Sequence, residues 1–121
     1  MMKILVCEDD FMMIKAIEHK LKSEGYSVDV VTDGNQATEK VREINYDLVM
    51  TDLLMPFVGG LELINTIRNE LHLKMPIIVL SRLGNEDTII EAFKLGADDY
   101  ITKPFSPNEV SIRVKRLLIR R

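Results

Sequence analysis

Two hydrophobic periods alternate five times along this chain, and that alternation restricts the fold more than any other feature. Short apolar runs rich in Ile, Val and Leu have the length of strands buried on both faces. Between the runs, apolar residues recur every three or four positions, as on one face of a helix. Five such units predict a parallel sheet covered by helices on both faces, because crossovers between parallel strands are right-handed. The expected strands are Ile4–Cys7, Val28–Val31, Leu48–Met50, Ile77–Leu80 and Tyr100–Ile101.

Each predicted helix has one apolar face, and the residues around it agree with the assignment. Gly25 and Gly96 stand where a helix would end in a left-handed residue, and Pro76 precedes the fourth strand, where a missing N–H costs little. We therefore expect a three-layer α/β sandwich. The apolar helix positions are Met13, Ile17 and Leu21; Ala37, Val41 and Ile44; Leu61, Ile64, Ile67 and Leu71; Ile89 and Phe93; and Val110 to Ile119.

Length and composition limit the class of protein. The 121 residues suit one domain over 1–121, since domains most often have about 100–150 residues. The single cysteine, Cys7, excludes an internal disulfide, suits a reducing compartment, and is expected as a buried strand residue. No apolar run approaches the roughly 20 residues of a membrane span. A net charge of −3 gives no basic field for nucleic acid. We expect a cytoplasmic domain with no membrane contact.

Acidic residues follow two of the predicted strands, where open α/β sheets bind their ligands. Glu8, Asp9 and Asp10 come after the first strand, and Asp52 comes after the third. Acids at a helix start are typical of capping, and an acid ahead of Pro56 is typical of a turn. Together, however, three carboxylates would converge on one point, where a cation offsets their repulsion. Mg²⁺ prefers such oxygen ligands.

Three further polar side chains stand near the ends of the later strands. Ser81 follows strand four, where a hydroxyl commonly caps the next turn. Lys103 follows strand five; a lone lysine is usually solvated, but here it would stand beside the acids and could neutralise a phosphate. Tyr100 precedes it by three residues and could be a partly buried edge aromatic.

In combination these residues suit phosphoryl transfer to a carboxylate. An ionised Asp52 needs no general base, a metal and Lys103 would neutralise the transferred charge, and Ser81 would donate a hydrogen bond. A Ser/His/Asp triad is not convincing, because His19 and His72 are both predicted on helix surfaces.

At this point the chain resembles the receiver domain of two-component response regulators. Each motif is weak alone, but all five together at the ends of the correct strands are specific. The resemblance covers essentially the whole chain and rests on Lys3-Ile-Leu-Val-Cys-Glu8-Asp9-Asp10, Asp52-Leu-Leu-Met-Pro56 with Gly60, Ser81, and Gly96-Ala-Asp-Asp-Tyr100-Ile-Thr-Lys103-Pro104-Phe105.

The resemblance implies a role for each site residue. Asp52 would be the phosphoacceptor, and Mg²⁺ (or Mn²⁺) would be held by Glu8, Asp9, Asp52 and the backbone carbonyl of Leu54. Lys103 would pair with a phosphoryl oxygen. The donor would be the phosphohistidine of a sensor histidine kinase or a small acyl phosphate. Such a domain catalyses only its own phosphorylation and dephosphorylation, so it is not expected to be an enzyme.

The resemblance also implies the switch and the fold. Ser81 would move toward the phosphoryl group while Tyr100 rotates inward. The strand order would be 2-1-3-4-5 in a flavodoxin-like sheet with five helices, and the Lys103–Pro104 peptide bond would be cis.

The output surface resembles that of the OmpR/PhoB transcription-factor subfamily. There, the face of helix 4, strand 5 and helix 5 joins two receivers in a phosphorylation-dependent homodimer. The same charges could instead be solvated, since exposed ion pairs contribute only about 0–1 kcal/mol each. The candidate dimer residues are Lys94, Asp98, Asp99, Glu109, Arg113 and Arg116.

The same resemblance implies that DNA would be reached only through a C-terminal effector domain, in which case the chain is a truncated regulator.

Two departures from the family pattern keep alternatives open. Arg82 stands where the family usually has a small residue, so a scaffold that never takes phosphate is one alternative. Glu8 replaces an aspartate, which lengthens the reach to the metal.

Two other classes of protein fit the sequence less well. An aspartyl-nucleophile phosphohydrolase would want a second Asp where the chain has Leu54. A flavodoxin would need a neutral phosphate loop in place of the acidic run that begins at Glu8.

Overall fold

The computed structural model describes residues 1–119 and contains one parallel five-stranded sheet in the order β2-β1-β3-β4-β5. This confirms the predicted α/β sandwich, strand order and five helices. In the described part of the chain, no helix is long and apolar enough to cross a membrane. The elements are β1 Lys3–Cys7, α1 Phe11–Ser23, β2 Ser27–Val31, α2 Gly34–Glu43, β3 Leu48–Asp52, α3 Gly60–Asn65, β4 Ile77–Arg82, α4 Glu86–Leu95, β5 Asp99–Lys103 and α5 Pro107–Ile119.

The sheet separates two apolar cores because side chains alternate between its faces. Ile4 and Val6 of β1 pack in one core with α1 and α5, while Leu5 and Cys7 pack in the other with α2, α3 and α4. Cys7 is fully buried in β1, as expected. All four of these side chains are inaccessible to water, which explains why every position of β1 after Lys3 is apolar. The two cores make the sheet a rigid platform for the residues at its edge.

The strands extend one to three residues beyond their apolar runs. β3 continues through Asp52, β4 through Arg82 and β5 from Asp99 to Lys103. Asp52 pairs in register with Leu80, and Arg82 pairs with Lys103. The prediction that Asp52, Ser81 and Lys103 follow their strands was therefore wrong. Asp52 and Lys103 are the last residues of β3 and β5, and Ser81 is the last but one of β4. Backbone ladder bonds do not depend on side-chain polarity, so apolar runs alone underestimate strand length.

The third helix differs from the predicted one at its C-terminal end. α3 passes directly into a π-helical turn, Thr66–Glu70. Leu71 is the cap that follows this turn, and His72 lies beyond it in a loop, with a positive φ of 54°. The prediction that His72 lies on a helix surface was wrong, because the helical segment ends at Glu70 and a residue with positive φ does not continue a right-handed helix.

The two predicted glycine helix ends and the predicted cis peptide bond are present. Gly25 and Gly96 have φ of 94° and 122°, values that only glycine adopts without strain. The Lys103–Pro104 peptide bond is cis. Phe93, in contrast, is 41% exposed, so it packs at the edge of α4 and not in the core.

One glycine allows α3 to approach the end of β3. A Cβ on Gly60 would stand 2.5 Å from the carbonyl oxygen of Asp52 and 2.8 Å from the Cα of Leu53. Both atoms belong to backbone, which cannot rotate away. The close approach therefore holds Asp52 in position.

We predict that Gly60→Ala lowers the free energy of unfolding by about 1–3 kcal/mol, the usual cost of overpacking. The neighbouring Gly59→Ala is the matched control, because its Cβ would meet the Leu53 carbonyl oxygen at an ordinary 3.5 Å. Its cost should stay below about 1 kcal/mol. Urea denaturation measures both values, and equal costs would contradict this account of the α3–β3 contact.

Candidate functional site

Three carboxylates converge where β1 and β3 end side by side. Glu8 and Asp9 directly follow β1, and Asp52 is the last residue of β3. One oxygen from each lies within 4.8 Å of the others. Glu8 is fully buried and Asp52 is only 8% exposed, whereas Asp9 is exposed. The sequence-based expectation of a convergent acidic cluster is therefore met by the geometry.

Asp10 has a different role from its two acidic neighbours. Its Oδ1 accepts a hydrogen bond of 3.0 Å from the backbone N–H of Met13, which makes it the N-cap of α1. Glu8 turns the other way: its Oε2 accepts the backbone N–H groups of Asp9 and Asp10 at 3.0 and 3.1 Å. The capping and cluster interpretations thus both hold, but for different residues of the same run.

Lys103 connects β5 to this cluster across the end of β4. Its Nζ lies 2.8 Å from Asp52 Oδ2 and 2.9 Å from Glu8 Oε1. The lysine side chain is only 11% exposed, so it is not a solvated surface charge. The other oxygen of Asp52 accepts the backbone N–H of Leu54 at 3.1 Å. Both oxygens of this carboxylate are therefore held in place.

The electrostatics of the cluster leave it short of positive charge. Burial raises the pKa of Glu8 above its usual range, more than the contacts with Lys103 and the backbone lower it. Burial alone would lower the pKa of Lys103, but its bonds to Asp52 and Glu8 outweigh this effect and raise it. Three carboxylates against one ammonium leave two uncompensated negative charges.

The donor set fits a hard divalent cation. All candidate ligand atoms are carboxylate oxygens, which Mg²⁺ prefers. Glu8 Oε1 is buried and, among the described residues, accepts no hydrogen bond of good geometry, although the Lys103 ammonium is near it. Such an oxygen can take a metal without breaking a hydrogen bond. Glu8, Asp9 and Asp52 are thus the residues that could hold Mg²⁺.

A cavity of about 650 Å³ opens over the cluster. Leu54 and Arg82 line it, together with Met13, Leu83 and Pro104, for which the sequence predicted no role in lining a cavity. Leu83 is 84% exposed. Leu83 and Pro104 directly follow β4 and β5, and Met13 lies in the first turn of α1. Their closeness in sequence to the carboxyl ends of β1, β4 and β5 was the available signal.

Neither Ser81 nor Tyr100 makes a hydrogen bond with the carboxylate of Asp52 in this structure. Ser81 is buried at the end of β4, and its Oγ donates to the carbonyl of Arg82 at 3.2 Å. Tyr100 is 39% exposed and makes an edge-to-face contact with Phe93, with ring centroids 6.0 Å apart. The interpretation of Tyr100 as an edge aromatic describes this conformation, and the switching roles of both residues stay predictions.

Most candidate dimer residues form ion pairs within the chain. Asp99 is buried and binds Arg113 at 3.0 Å and Arg116 at 2.9 Å. Glu109 lies 3.6 Å from Arg113, and Asp98 lies 2.9 Å from Arg68 on the π-helical turn. Lys94 is exposed on α4. The sequence analysis did not foresee that a buried aspartate of β5 organises this surface.

Comparison with known proteins gives a match over nearly the whole chain. The family described as "Response regulator receiver domain" matches residues 4–115. The transcriptional regulatory protein ResD of Bacillus subtilis is 42% identical over 118 residues, an alignment that covers 98% of this chain and 48% of ResD. The alkaline phosphatase synthesis transcriptional regulatory protein PhoP of the same species is 37% identical, with 98% and 49% covered. The chain spans about half the length of these curated relatives.

Solved structures agree with this match. The receiver domain of the Francisella response regulator 1452 superposes with a TM-score of 0.91 at 37% identity, covering 99% of this chain and 98% of that one. The chemotaxis response regulator CheY4 of Vibrio cholerae gives 0.89 at 26% identity, covering 97% and 98%.

We predict that Lys103→Met lowers the free energy of unfolding by about 2–4 kcal/mol at neutral pH without divalent cations, because it leaves buried carboxylates without their cation. Added Mg²⁺ should restore part of this loss. Lys115→Met is the control: Lys115 lies 3.3 Å from Glu24 but is 52% exposed, so its loss should cost about 0–1 kcal/mol. Equal losses in urea denaturation would mean that the Lys103 ion pairs are not special.

The raised pKa of Glu8 predicts a pH dependence with a definite sign. The folded state favours neutral Glu8, so this group's stabilising contribution is complete below its ordinary pKa of 4.5 and is lost as pH rises through the higher folded value. Without divalent cations, Glu8→Gln should therefore become more stable relative to wild type between acidic and neutral pH.

Glu24→Gln supplies a control of opposite sign. The hydrogen bond from Ser111 lowers the pKa of Glu24, so its contribution is present above the ordinary value and lost in acid. This variant should become less stable relative to wild type as pH rises. Urea denaturation at several pH values measures both differences, and parallel trends would contradict the assignment.

Proposed function

The chain belongs to the response regulator receiver domain family, whose members act in phosphorylation-dependent signalling, and we propose that Asp52 is the residue that accepts the phosphoryl group. One observation carries this proposal: Lys103 binds both Asp52 and Glu8 inside a cluster that still lacks positive charge. Such a site gains stability when a divalent cation enters. Lys103 and that cation would together supply the positive charges that phosphoryl transfer requires.

The chemistry needs little from the protein beyond position and charge. An oxygen of Asp52 attacks phosphorus in line, the new O–P bond forms, and the bond to the donor breaks with its electron pair staying on the donor atom. No proton has to leave the ionised carboxylate. Lys103, at 2.8 Å from Asp52, neutralises charge on the phosphoryl oxygens. The bonds from Leu54 N–H and Lys103 fix the carboxylate before the donor arrives.

Mg²⁺, or Mn²⁺ in its place, would be held by Glu8, Asp9, Asp52 and the backbone carbonyl of Leu54. When bound, the cation supplies neutralisation of the phosphoryl oxygens. Leu54 lines the cavity, which supports its inclusion. Glu8 Oε1, which accepts no hydrogen bond of good geometry from the described residues, supports that of Glu8.

We further propose that Ser81 and Tyr100 transmit the signal. Among the described residues, the Ser81 hydroxyl makes a single hydrogen bond, of 3.2 Å to the carbonyl of its neighbour Arg82, so moving the hydroxyl toward a phosphoryl group costs little. Tyr100 packs against Phe93 on α4 and would rotate inward when Ser81 moves. Such a change biases two conformations that already exist.

The surface of α4, β5 and α5 is the proposed exit of the signal and the face of a phosphorylation-dependent homodimer. Asp99 and Tyr100 are successive residues of β5, so a change at Tyr100 reaches the buried Asp99 and its partners Arg113 and Arg116. Exchange of these partners between two copies would join them. Lys94, Asp98 and Glu109 complete the proposed face, as the resemblance to the OmpR/PhoB subfamily suggests.

A sensor histidine kinase is the proposed physiological donor. Exposed apolar side chains stand after β1, β3 and β4, within a few residues of Asp9, Asp52 and Ser81. They would pack against the kinase as its phosphohistidine enters. The proposed docking residues are Phe11, Met12, Leu54, Phe57 and Leu83.

For the whole protein we propose transcription regulation in the cytoplasm through a DNA-binding domain that follows the receiver. The names and greater length of the relatives support this proposal.

We predict a single phosphoryl adduct when the protein is incubated with acetyl phosphate and Mg²⁺, measured as intact mass. Asp52→Asn should take no adduct, because an amide is not a nucleophile at this pH. Asp87→Asn, a change of an exposed aspartate in the first turn of α4, should behave as wild type. Omission of Mg²⁺ should greatly reduce the adduct.

Two results would overturn this proposal. Wild type without an adduct, while Mg²⁺ still binds, would indicate a receiver-like scaffold. Repeated turnover of added phosphoesters would indicate a phosphohydrolase.

A further inference from the structure

Arg82 lies at the mouth of the cavity that contains Asp52. It is the last residue of β4, follows Ser81 directly and pairs in register with Lys103 on β5. It is exposed, yet it lines the same cavity as the acidic cluster. The backbone therefore brings a second cation to the edge of the site.

The guanidinium of Arg82 has no partner in the described residues. Between residues 1 and 119 the other arginines each lie within 4.0 Å of a carboxylate, and Arg82 alone makes neither an ion pair nor a side-chain hydrogen bond. This is unexpected beside a cavity so rich in acids, and it leaves the charge available for a ligand. The paired arginines are Arg42, Arg68, Arg113 and Arg116.

The charge balance of the phosphorylated site has room for one more cation. A phosphoryl group brings about two negative charges at neutral pH, and Glu8 and Asp9 bring one each. A bound divalent cation and Lys103 together neutralise three of these four. One negative charge remains, on an anion that faces the mouth of the cavity.

We propose that Arg82 binds the phosphoryl group on Asp52 and lengthens its lifetime. This inference rests on the proposed function of Asp52. A planar guanidinium can donate two parallel hydrogen bonds to phosphoryl oxygens, which a lysine ammonium cannot. Hydrolysis requires water to attack phosphorus opposite the bond to Asp52, from the mouth of the cavity. Arg82, an exposed residue that lines the cavity together with Leu54 and Leu83, would occupy that approach.

To test this, four proteins are phosphorylated with acetyl phosphate and Mg²⁺, the donor is removed, and the adduct is followed by intact mass. The proteins are wild type, Arg82→Ala, Arg82→Lys and Arg42→Ala. Arg82→Ala should lose its phosphoryl group roughly tenfold faster than wild type, the scale of one lost charge-assisted hydrogen bond. Arg82→Lys should fall between them, because it keeps the charge without the fork. Arg42→Ala removes an exposed arginine of α2 that makes only a 3.9 Å ion pair with Glu70, and should match wild type.

The outcomes separate this inference from the proposed function. An adduct on wild type with an unchanged or longer lifetime in Arg82→Ala would overturn the role of Arg82 and leave Asp52 as acceptor. A shorter lifetime in Arg42→Ala as well would show a general charge effect, which also overturns it. No adduct on wild type would overturn the proposed function itself and this inference with it.

Discussion

The contact of Lys103 with Asp52 and Glu8 is the interaction on which the site depends. Removing charges from water is costly, and carboxylates this close repel one another unless a cation stands among them. Lys103 provides that cation from β5, two strands away from β3. Its contacts tie the ends of β1, β3 and β5 together. The remaining negative charge suits the site to a divalent cation, which Glu8, Asp9 and Asp52 could hold.

The same strand that carries Lys103 also carries the residues of the proposed output surface. Along β5, Asp99, Ile101 and Lys103 share one face of the sheet because side chains alternate. Asp99 binds α5 through Arg113 and Arg116. Tyr100 points to the other side, where it meets Phe93 of α4. A change around Lys103 therefore has a short path, within one strand, to both helices of that surface.

Sequence reasoning was strongest where local chemistry determines structure. The alternation of hydrophobic periods predicted the layers, and the positions of Glu8, Asp52 and Lys103 after apolar runs predicted their convergence. It was weakest where partners come from distant parts of the chain, as with the burial of Asp99 against arginines of α5. It was also weak for one local irregularity, because the π turn that follows α3 has no marker in the apolar pattern. No spacing rule gives either.

Isothermal titration calorimetry can test whether one site binds both the cation and the phosphoryl group. Mg²⁺ is titrated with and without beryllium fluoride, which mimics a phosphoryl group on a carboxylate. If Glu8, Asp9, Asp52 and Lys103 form one site for cation and phosphoryl group, each ligand must strengthen binding of the other. We expect beryllium fluoride to raise the Mg²⁺ affinity of wild type roughly tenfold and to leave that of Asp52→Asn unchanged. Equal affinities in wild type, or the same gain in both proteins, would contradict the claim of a single site.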